Sequence, residues 1–130
     1  MRRLVVETHA KEELVDITLI VRDTLDSFGI SEGACLIFSP HTTAGITINE
    51  HADPAVARDL AAALRDVVPA GRPWQHLEGN ADAHVKASLV GTSTLVGIEG
   101  GKMALGAWQG IFLCEFDGPR TREIWLKTIS

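Results

Sequence analysis

The sequence predicts an α+β fold, formed as a single domain over residues 1–130 around a mostly antiparallel sheet. Short runs rich in β-branched residues, which are typical of strands, occupy both ends of the chain. Start and stop signals for helices occur in three segments between them. The chain shows no internal repeat or linker, and its 130 residues are the size of one ordinary domain.

The first part of the chain predicts four strands and one helix. Thr18 is expected to cap the helix, because its hydroxyl can accept a hydrogen bond from a free N–H of the first turn, and Gly29 to end it. The third strand is a continuous apolar run, which is typical of a strand buried on both faces. The four strands are predicted at residues 4–8, 13–17, 34–38 and 44–50.

Two helices are predicted in the middle of the chain. Asp53 as N-cap and Pro54 at the first helical position mark the start of one of them. After a loop, either Asn80 or Asp82 is expected to open a second, short helix that Gly91 ends.

The last part of the chain predicts four further strands. The first two are joined by Gly100 and Gly101, a hairpin signature because glycine tolerates positive φ. Trp108 starts the third strand and is expected in the core or at an interface, since Trp usually buries a large area. The strands are predicted at residues 94–98, 102–105, 108–115 and 123–127.

Composition excludes several classes of function. Lys plus Arg number 12 and Asp plus Glu 17, so the net charge is −5, which disfavours nucleic acid and anionic membranes as partners. No apolar run approaches the ~20 residues of a membrane span, and the N-terminus lacks a signal-peptide core, so a cytoplasmic location is expected. Cys35 and Cys114 lie in apolar runs outside any CxxC pair and are predicted to be buried free thiols.

Polar residues that could carry chemistry concentrate in three segments. In residues 39–43, His41 and its neighbours follow a strand and fit either a metal or anion site or an ordinary polar turn. Glu50 shares strand parity with two isoleucines, and a carboxylate at the rim of a core face is costly unless it is paired. The next residue, His51, is expected to be exposed rather than catalytic.

The third polar segment covers residues 76–86. Asn80 and His84 are four apart and share a face if this segment is helical. Such a helix start can bind a divalent metal or a phosphate, and a capped, solvated helix fits equally well. His41, His76 and His84 together would satisfy a zinc-like site with an open position, if the fold gathers them.

Two arginines near the C-terminus alternate along a predicted strand. Arg120 and Arg122 can hold an anion by fork-like hydrogen bonding. The commoner arrangement is a cross-strand ion pair with Glu115 or Asp117.

These segments resemble the YjbQ family, often labelled a secondary thiamine-phosphate synthase family, and the resemblance covers essentially the whole chain. The family usually has Thr where this chain has Ala107, which removes a hydroxyl near the Trp-Gln motif. The resemblance is carried by Ser39-Pro40-His41-Thr42-Thr43-Ala44, Thr47-Ile48-Asn49-Glu50, Asp53-Pro54, Asp59, Gly79-Asn80-Ala81-Asp82-Ala83-His84-Val85-Lys86, Ser88-Leu89-Val90-Gly91, Leu105-Gly106, Trp108-Gln109-Gly110 and Glu115-Phe116-Asp117-Gly118-Pro119-Arg120.

The resemblance implies a curved sheet, a homotrimer, and a polar site near a subunit boundary that can hold a metal or an anion. It also implies weak thiamine-phosphate synthase activity. By motif match the site would comprise His41, Glu50, Asn80, Asp82 and His84, with His76 added. The roles we predict are catalytic for Glu50, Asp82 and Asn80, metal binding for His41, His76 and His84, and phosphate binding for Thr42, Thr43, Lys86 and Arg120.

Three functions are compatible with these residues. The first is a transferase that couples a pyrimidine diphosphate to a thiazole phosphate, with a divalent metal, zinc or magnesium, stabilising charge during turnover. The second is a metal-dependent hydrolase or lyase of a small phosphorylated metabolite. The third is a non-enzymatic trimeric protein that binds a small anionic metabolite.

Overall fold

Two antiparallel sheets stack face to face, and two of the three helices cover the outer side of the smaller sheet. The computed structural model describes residues 1–130. The five-stranded sheet has the order β1-β8-β3-β5-β6, and the three-stranded sheet has the order β2-β7-β4. The elements are β1 (Arg2–Glu7), β2 (Glu13–Asp16), α1 (Thr18–Asp26), β3 (Glu32–Phe38), β4 (Ala44–Glu50), α2 (Pro54–Val67), α3 (Ala81–Val90), β5 (Ser93–Glu99), β6 (Lys102–Met103), β7 (Gln109–Glu115) and β8 (Thr121–Ile129).

Strand β7 lies at the centre of the molecule and is buried on both faces after its first residue. Its side chains alternate between two layers, as strand geometry requires. Ile111 and Leu113 belong to the large core between the two sheets, which also contains Cys35. Cys114 and Phe116, which directly follows β7, belong to a smaller core against α3. The three-stranded sheet is therefore the middle of three layers.

The α+β class and the antiparallel sheet are confirmed, and most predicted strands lie within a few residues of their predicted bounds. The hairpin is also confirmed, with Gly100 and Gly101 both at positive φ between β5 and β6. The prediction that β3 is buried on both faces is wrong for this chain, because only one set of its side chains faces the core and the other lies on the open face of the five-stranded sheet. None of the three helices has both the length and the apolar composition needed to cross a membrane.

Helix α1 begins differently from the prediction. Thr18 is its first residue and not its cap, and the capping position, Ile17, has no side chain that can accept a hydrogen bond. Asp16 takes this role, because its Oδ1 accepts from the Thr18 N–H at 3.0 Å and from the Thr18 hydroxyl at 2.6 Å. The Thr18 hydroxyl in turn accepts the N–H of Ile111 at 2.8 Å, which ties α1 to β7.

The other two helix starts also differ in how they are capped. Asp53 caps α2 as predicted, since its carboxylate accepts the Ala55 N–H at 2.9 Å. Asn80 occupies the capping position of α3, but its side chain makes no capping hydrogen bond. Asp82 lies inside the first turn and makes a buried ion pair with Lys86 instead.

The burial prediction is confirmed for the two cysteines and is wrong for Trp108 within this chain. Cys35 and Cys114 are buried and free as predicted, and burial raises the pKa of Cys35 to about 11 and that of Cys114 to about 12. Trp108 was expected in the core or at an interface, and within this chain it is 66% exposed, so the core assignment is wrong. It lies just before β7, outside the doubly buried part of that strand.

A buried ion pair joins the two sheets at the end of β7. Nε of Arg122, on β8, donates to both carboxylate oxygens of Glu115, at 2.9 and 3.0 Å. The same carboxylate accepts from the Thr8 hydroxyl at 2.8 Å and from the Asp117 N–H at 3.1 Å. A second Arg122 nitrogen donates to the Thr43 hydroxyl at 2.9 Å. The pair therefore fixes three connecting segments in addition to the two sheets.

Two opposing effects set the pKa of Glu115. Burial alone would raise it, but hydrogen bonds from Arg122, Thr8 and the Asp117 N–H, together with the positive charge of Arg122, bring it below its ordinary value of 4.5. Glu115 therefore remains ionised in the folded protein at neutral pH.

We expect Arg122→Met to lower the free energy of unfolding by about 3–5 kcal/mol, because it leaves the buried Glu115 carboxylate without its cation. Arg120→Met is the matched control. It removes a half-exposed guanidinium whose pair with Asp117 is worth about 0–1 kcal/mol. Urea denaturation of both variants measures the difference, and equal losses would contradict the central role of the pair.

Glu115→Gln tests the same pair through pH. A carboxylate whose folded-state pKa is depressed stabilises the protein above its unfolded pKa, and this contribution is lost as the pH falls through the folded-state value. We therefore expect the stability difference between wild type and Glu115→Gln to be full above about pH 4.5 and to shrink at lower pH. Urea titrations between about pH 3 and pH 7 measure it, and a difference independent of pH would show that Glu115 is not held ionised.

Candidate functional site

Strand β4 separates the predicted site residues into two groups. Ala44, which directly follows the 39–43 segment, pairs with Glu115, whereas Glu50 pairs with Gln109 at the other end of β7. With a rise of about 3.3 Å per residue, the two ends of β4 are about 20 Å apart. Glu50 is therefore not part of the same pocket as His41, Thr42 and Thr43.

The turn after β7 meets the start of α3 and forms the larger group of predicted residues. Asn80 Nδ2 donates to Asp117 Oδ2 at 2.9 Å. Arg120 donates from Nε to the Asp117 carbonyl oxygen at 2.8 Å, and its terminal nitrogen lies 3.2 Å from Asp117 Oδ2. The Phe116 N–H donates to the Thr43 carbonyl oxygen at 3.2 Å, which brings the 39–43 segment to the same turn. We call this surface the turn face; it comprises Thr42, His76, Asn80, His84, Asp117 and Arg120.

Two of the three predicted metal ligands lie together on the turn face. The rings of His76 and His84 meet edge to face, with 5.1 Å between their centroids. His84 is one helical turn after Asn80, which places both on one side of α3. His76 comes from the loop before the helix, where its Nε2 is 3.8 Å from Glu78.

The third predicted metal ligand makes a different contact. His41 Nε2 accepts the backbone N–H of Glu123 on β8 at 2.9 Å. Burial, followed by the charge of Arg122, lowers the pKa of His41, so the ring is neutral and carries its proton on Nδ1.

No group of three or more His, Cys, Asp or Glu side chains is placed to hold a metal ion. The ligand set His41, His76 and His84 therefore does not assemble within one chain. A single chain offers the pair of imidazoles at positions 76 and 84, and His41 is already bound to the backbone of β8.

Asp82 and Lys86 are on the buried side of α3 and point away from solvent. Lys86 is 1% exposed, and its Nζ lies 2.9 Å from Asp82 and 3.1 Å from Glu12. Arg65 of α2 lies 3.6 Å from the other oxygen of Glu12. This buried cluster holds α3 against the start of β2, and the placement argues against direct contact of Lys86 with a phosphate.

The two threonines predicted to bind phosphate have different environments. Thr43 is buried, and its hydroxyl accepts from Arg122. Thr42 is exposed, which leaves it available on the turn face.

At the opposite end of β4, Glu50 lines a cavity of about 490 Å³ between α2 and β2. The same cavity contains His51 and Asp16, whose Nδ1 and Oδ2 atoms are 2.9 Å apart. His51 was expected to be exposed, but its side chain is 29% exposed and paired. Sequence reasoning missed this pair because the two residues are 35 positions apart, and only the fold brings them together.

Comparison with known proteins matches almost the whole chain to one family. A model of the family described as "UPF0047 protein YjbQ-like" matches residues 2–130. The chain is 50% identical over 125 residues to a UPF0047 protein of Methanocaldococcus jannaschii, covering 96% of this chain and 91% of that one. It is 48% identical to the UPF0047 protein YugU of Bacillus subtilis, covering 100% and 99% of the two chains.

Solved structures give the same result. A crystal structure of a YjbQ/UPF0047 family protein from Clostridium acetobutylicum superimposes with a TM-score of 0.97 at 47% identity, covering 99% of this chain and 100% of that one. A protein of Sulfolobus solfataricus superimposes with a TM-score of 0.95 at 36% identity, covering 99% and 95% of the two chains. The family model, the relatives and the shared fold together show that the chain belongs to the YjbQ-like (UPF0047) family.

Proposed function

We propose that the turn face binds a small phosphorylated metabolite, and that the reaction it catalyses is the coupling of a pyrimidine diphosphate to a thiazole phosphate. The observation that supports this most directly is the half-exposed guanidinium of Arg120. It is held in place by Asp117, which is in turn held by Asn80. A guanidinium oriented in this way matches the geometry of phosphate oxygens.

The proposed reaction requires this surface to stabilise the negative charge of a leaving pyrophosphate. The C–O bond between the pyrimidine methylene group and the diphosphate breaks, and pyrophosphate leaves with the bonding electrons. The thiazole nitrogen then forms a C–N bond to the resulting cation. Arg120 would stabilise the charge that develops on the leaving pyrophosphate, and the Thr42 hydroxyl would donate to one of its oxygens. Asn80 and Asp117 act by positioning Arg120.

A second candidate function is metal-dependent hydrolysis or elimination of a phosphorylated metabolite, and the approach of His76 to His84 favours it. Because one chain does not supply three ligands, zinc or magnesium at this place would need a further ligand from the substrate or from another copy of the chain. A third candidate is binding of the anionic metabolite without turnover.

The open face of the five-stranded sheet supports the proposal that the partner of this chain is itself, in a homotrimer. Leu95 on β5 is 61% exposed on this face, next to Leu36 in the register of β3 and β5. Phe38 and Trp125 pack on the same face, with 5.8 Å between their ring centroids. Large apolar side chains that cluster on an exposed face favour a role as a protein interface. The bond from the Glu123 N–H to His41 links the edge of this face to the segment beside the turn face.

We expect Arg120→Met to lower kcat/KM for the coupling of the two phosphorylated substrates by about 10- to 100-fold, because it removes a charge-assisted contact to the leaving group. Steady-state assays with magnesium and with zinc measure the change. Arg58→Met is the matched control, since Arg58 is an exposed cation on α2, outside both the turn face and the open face of the five-stranded sheet.

The same assays separate the three candidates. The binding candidate would be favoured if the wild type shows no turnover with either metal but is thermally stabilised by inorganic pyrophosphate, and if Arg120→Met loses this stabilisation. Hydrolysis of phosphoesters that His84→Ala abolishes would favour the metal-dependent candidate. Equal kcat/KM for wild type and Arg120→Met would reject the assignment of Arg120.

Leu95→Glu should convert a trimer into monomers, because it places a carboxylate in the apolar face that the copies would share. Light scattering should give three times the chain mass for the wild type and one chain mass for the variant. Leu19→Glu is the control, since Leu19 is 62% exposed on α1 and not on this face. A monomeric wild type at micromolar concentration would refute the homotrimer.

A further inference from the structure

The position of the His51 side chain requires glycine at position 110, on the adjacent strand β7. The His51 N–H donates to the Trp108 carbonyl oxygen at 3.0 Å, which docks the chain after β4 against the start of β7. The imidazole then lies on the backbone of Gly110, where an added Cβ would be 2.4 Å from two ring atoms. The ring is therefore seated at a fixed place by backbone contacts.

Asp16 also fixes the orientation and the tautomer of this ring. Although burial alone would raise the pKa of Asp16, its hydrogen bonds to Thr18 and its contact with His51 hold the pKa below the ordinary value. An ionised carboxylate only accepts hydrogen bonds, so the 2.9 Å contact requires a proton on His51 Nδ1. The Thr18 hydroxyl holds the other carboxylate oxygen and is itself held by the Ile111 N–H.

The second ring nitrogen of His51 has no hydrogen-bond partner in the protein. With Nδ1 protonated, Nε2 of the neutral ring is a bare acceptor. The ring lines the cavity of about 490 Å³ and also a second cavity of about 440 Å³. Asp16 lines the first of these cavities and not the second, so His51 is the residue of the pair that reaches the second cavity.

The charges of the two cavities differ in sign. Five carboxylates and two arginines line the first cavity along with His51. The second contains Arg22 and Lys102 with the single carboxylate Asp26, which is a local excess of positive charge in a chain of net charge −5. Arg22 also lines a smaller cavity of about 220 Å³ together with His51 and Asp16, so Arg22 borders a space shared with the pair.

We propose that the second cavity is a binding site for a small hydroxyl-bearing anion, distinct from the turn face, in which His51 Nε2 accepts the ligand's hydroxyl hydrogen. Arg22 and Lys102 hold the negative charge of the ligand. If the proton transfers, it moves from the hydroxyl oxygen to Nε2, and the resulting imidazolium is stabilised by Asp16 while the ligand oxygen keeps the electron pair. A carboxylate that orients an imidazole in this way is the usual support of a general base.

The experiment uses the ¹⁵N-labelled full chain and inorganic phosphate, which is an anion that carries a hydroxyl group at neutral pH. Long-range ¹H–¹⁵N spectra report the tautomer of each imidazole, and the signals absent from His51→Gln identify His51. We expect the Nδ1–H tautomer for His51 and a saturable shift of its Nε2 signal as phosphate is added.

The variants separate this site from general attraction of phosphate to cations. Arg22→Met should weaken phosphate binding by about tenfold, because a charge-assisted hydrogen bond is lost. Arg58→Met is the matched control, since Arg58 is also an exposed helical arginine but lines only the first cavity, and it should leave binding unchanged. Asp16→Asn should abolish the preference for the Nδ1–H tautomer.

Three outcomes would overturn the proposal. They are an Nε2–H tautomer for His51 in the wild type, a His51 signal that phosphate does not move, and equal weakening by Arg22→Met and Arg58→Met. The coupling assays on the turn face are independent of all three, so either proposal can fail without the other.

Discussion

The buried pair of Glu115 and Arg122 is the interaction on which the arrangement of the molecule depends. It crosses from the three-stranded sheet to the five-stranded sheet, and its remaining hydrogen bonds reach Thr8, Thr43 and the N–H of Asp117. A buried ion pair is a weak source of stability compared with apolar packing, because both charges lose their hydration. Its value here lies in geometry, since one Glu115 oxygen binds Thr8, the other binds the N–H of Asp117, and a terminal nitrogen of Arg122 binds Thr43.

The turn face follows from this geometry. Glu115 holds the N–H of Asp117 at the start of the turn, and Asp117 then meets Asn80 from α3 and Arg120 from its own turn. On the other side, the same pair places Thr43, and therefore the segment that carries His41 and Thr42. Three segments far apart in sequence therefore meet around one buried ion pair.

The sequence predicted best what depends on neighbouring residues. The cap of α2 by Asp53 requires only the N–H of Ala55, and the hairpin requires only Gly100 and Gly101, so both could be recognised locally. Thr18 could not be placed in the same way, because its hydroxyl bonds to Ile111, 93 positions away. The pairing of Lys86 with Glu12 depends likewise on where α3 lies relative to the start of β2, and that of His51 with Asp16 on the pairing of β4 and β2 with opposite sides of β7. Glu50 and His41 are separated by the extended length of β4. The alternating pattern predicted this strand, but its consequence for the site was missed.

The two free cysteines lie in different cores, so each can report the local opening of its own core. Cys35 belongs to the core between the two sheets and Cys114 to the core beneath α3. With their thiol pKa values raised to about 11 and 12, neither forms appreciable thiolate while buried, and a thiol reagent reacts only when the covering layer opens. The labelling rate at each cysteine therefore measures how often the core around that cysteine opens. Comparing the two rates distinguishes detachment of α3, which exposes Cys114, from separation of the two sheets, which exposes Cys35.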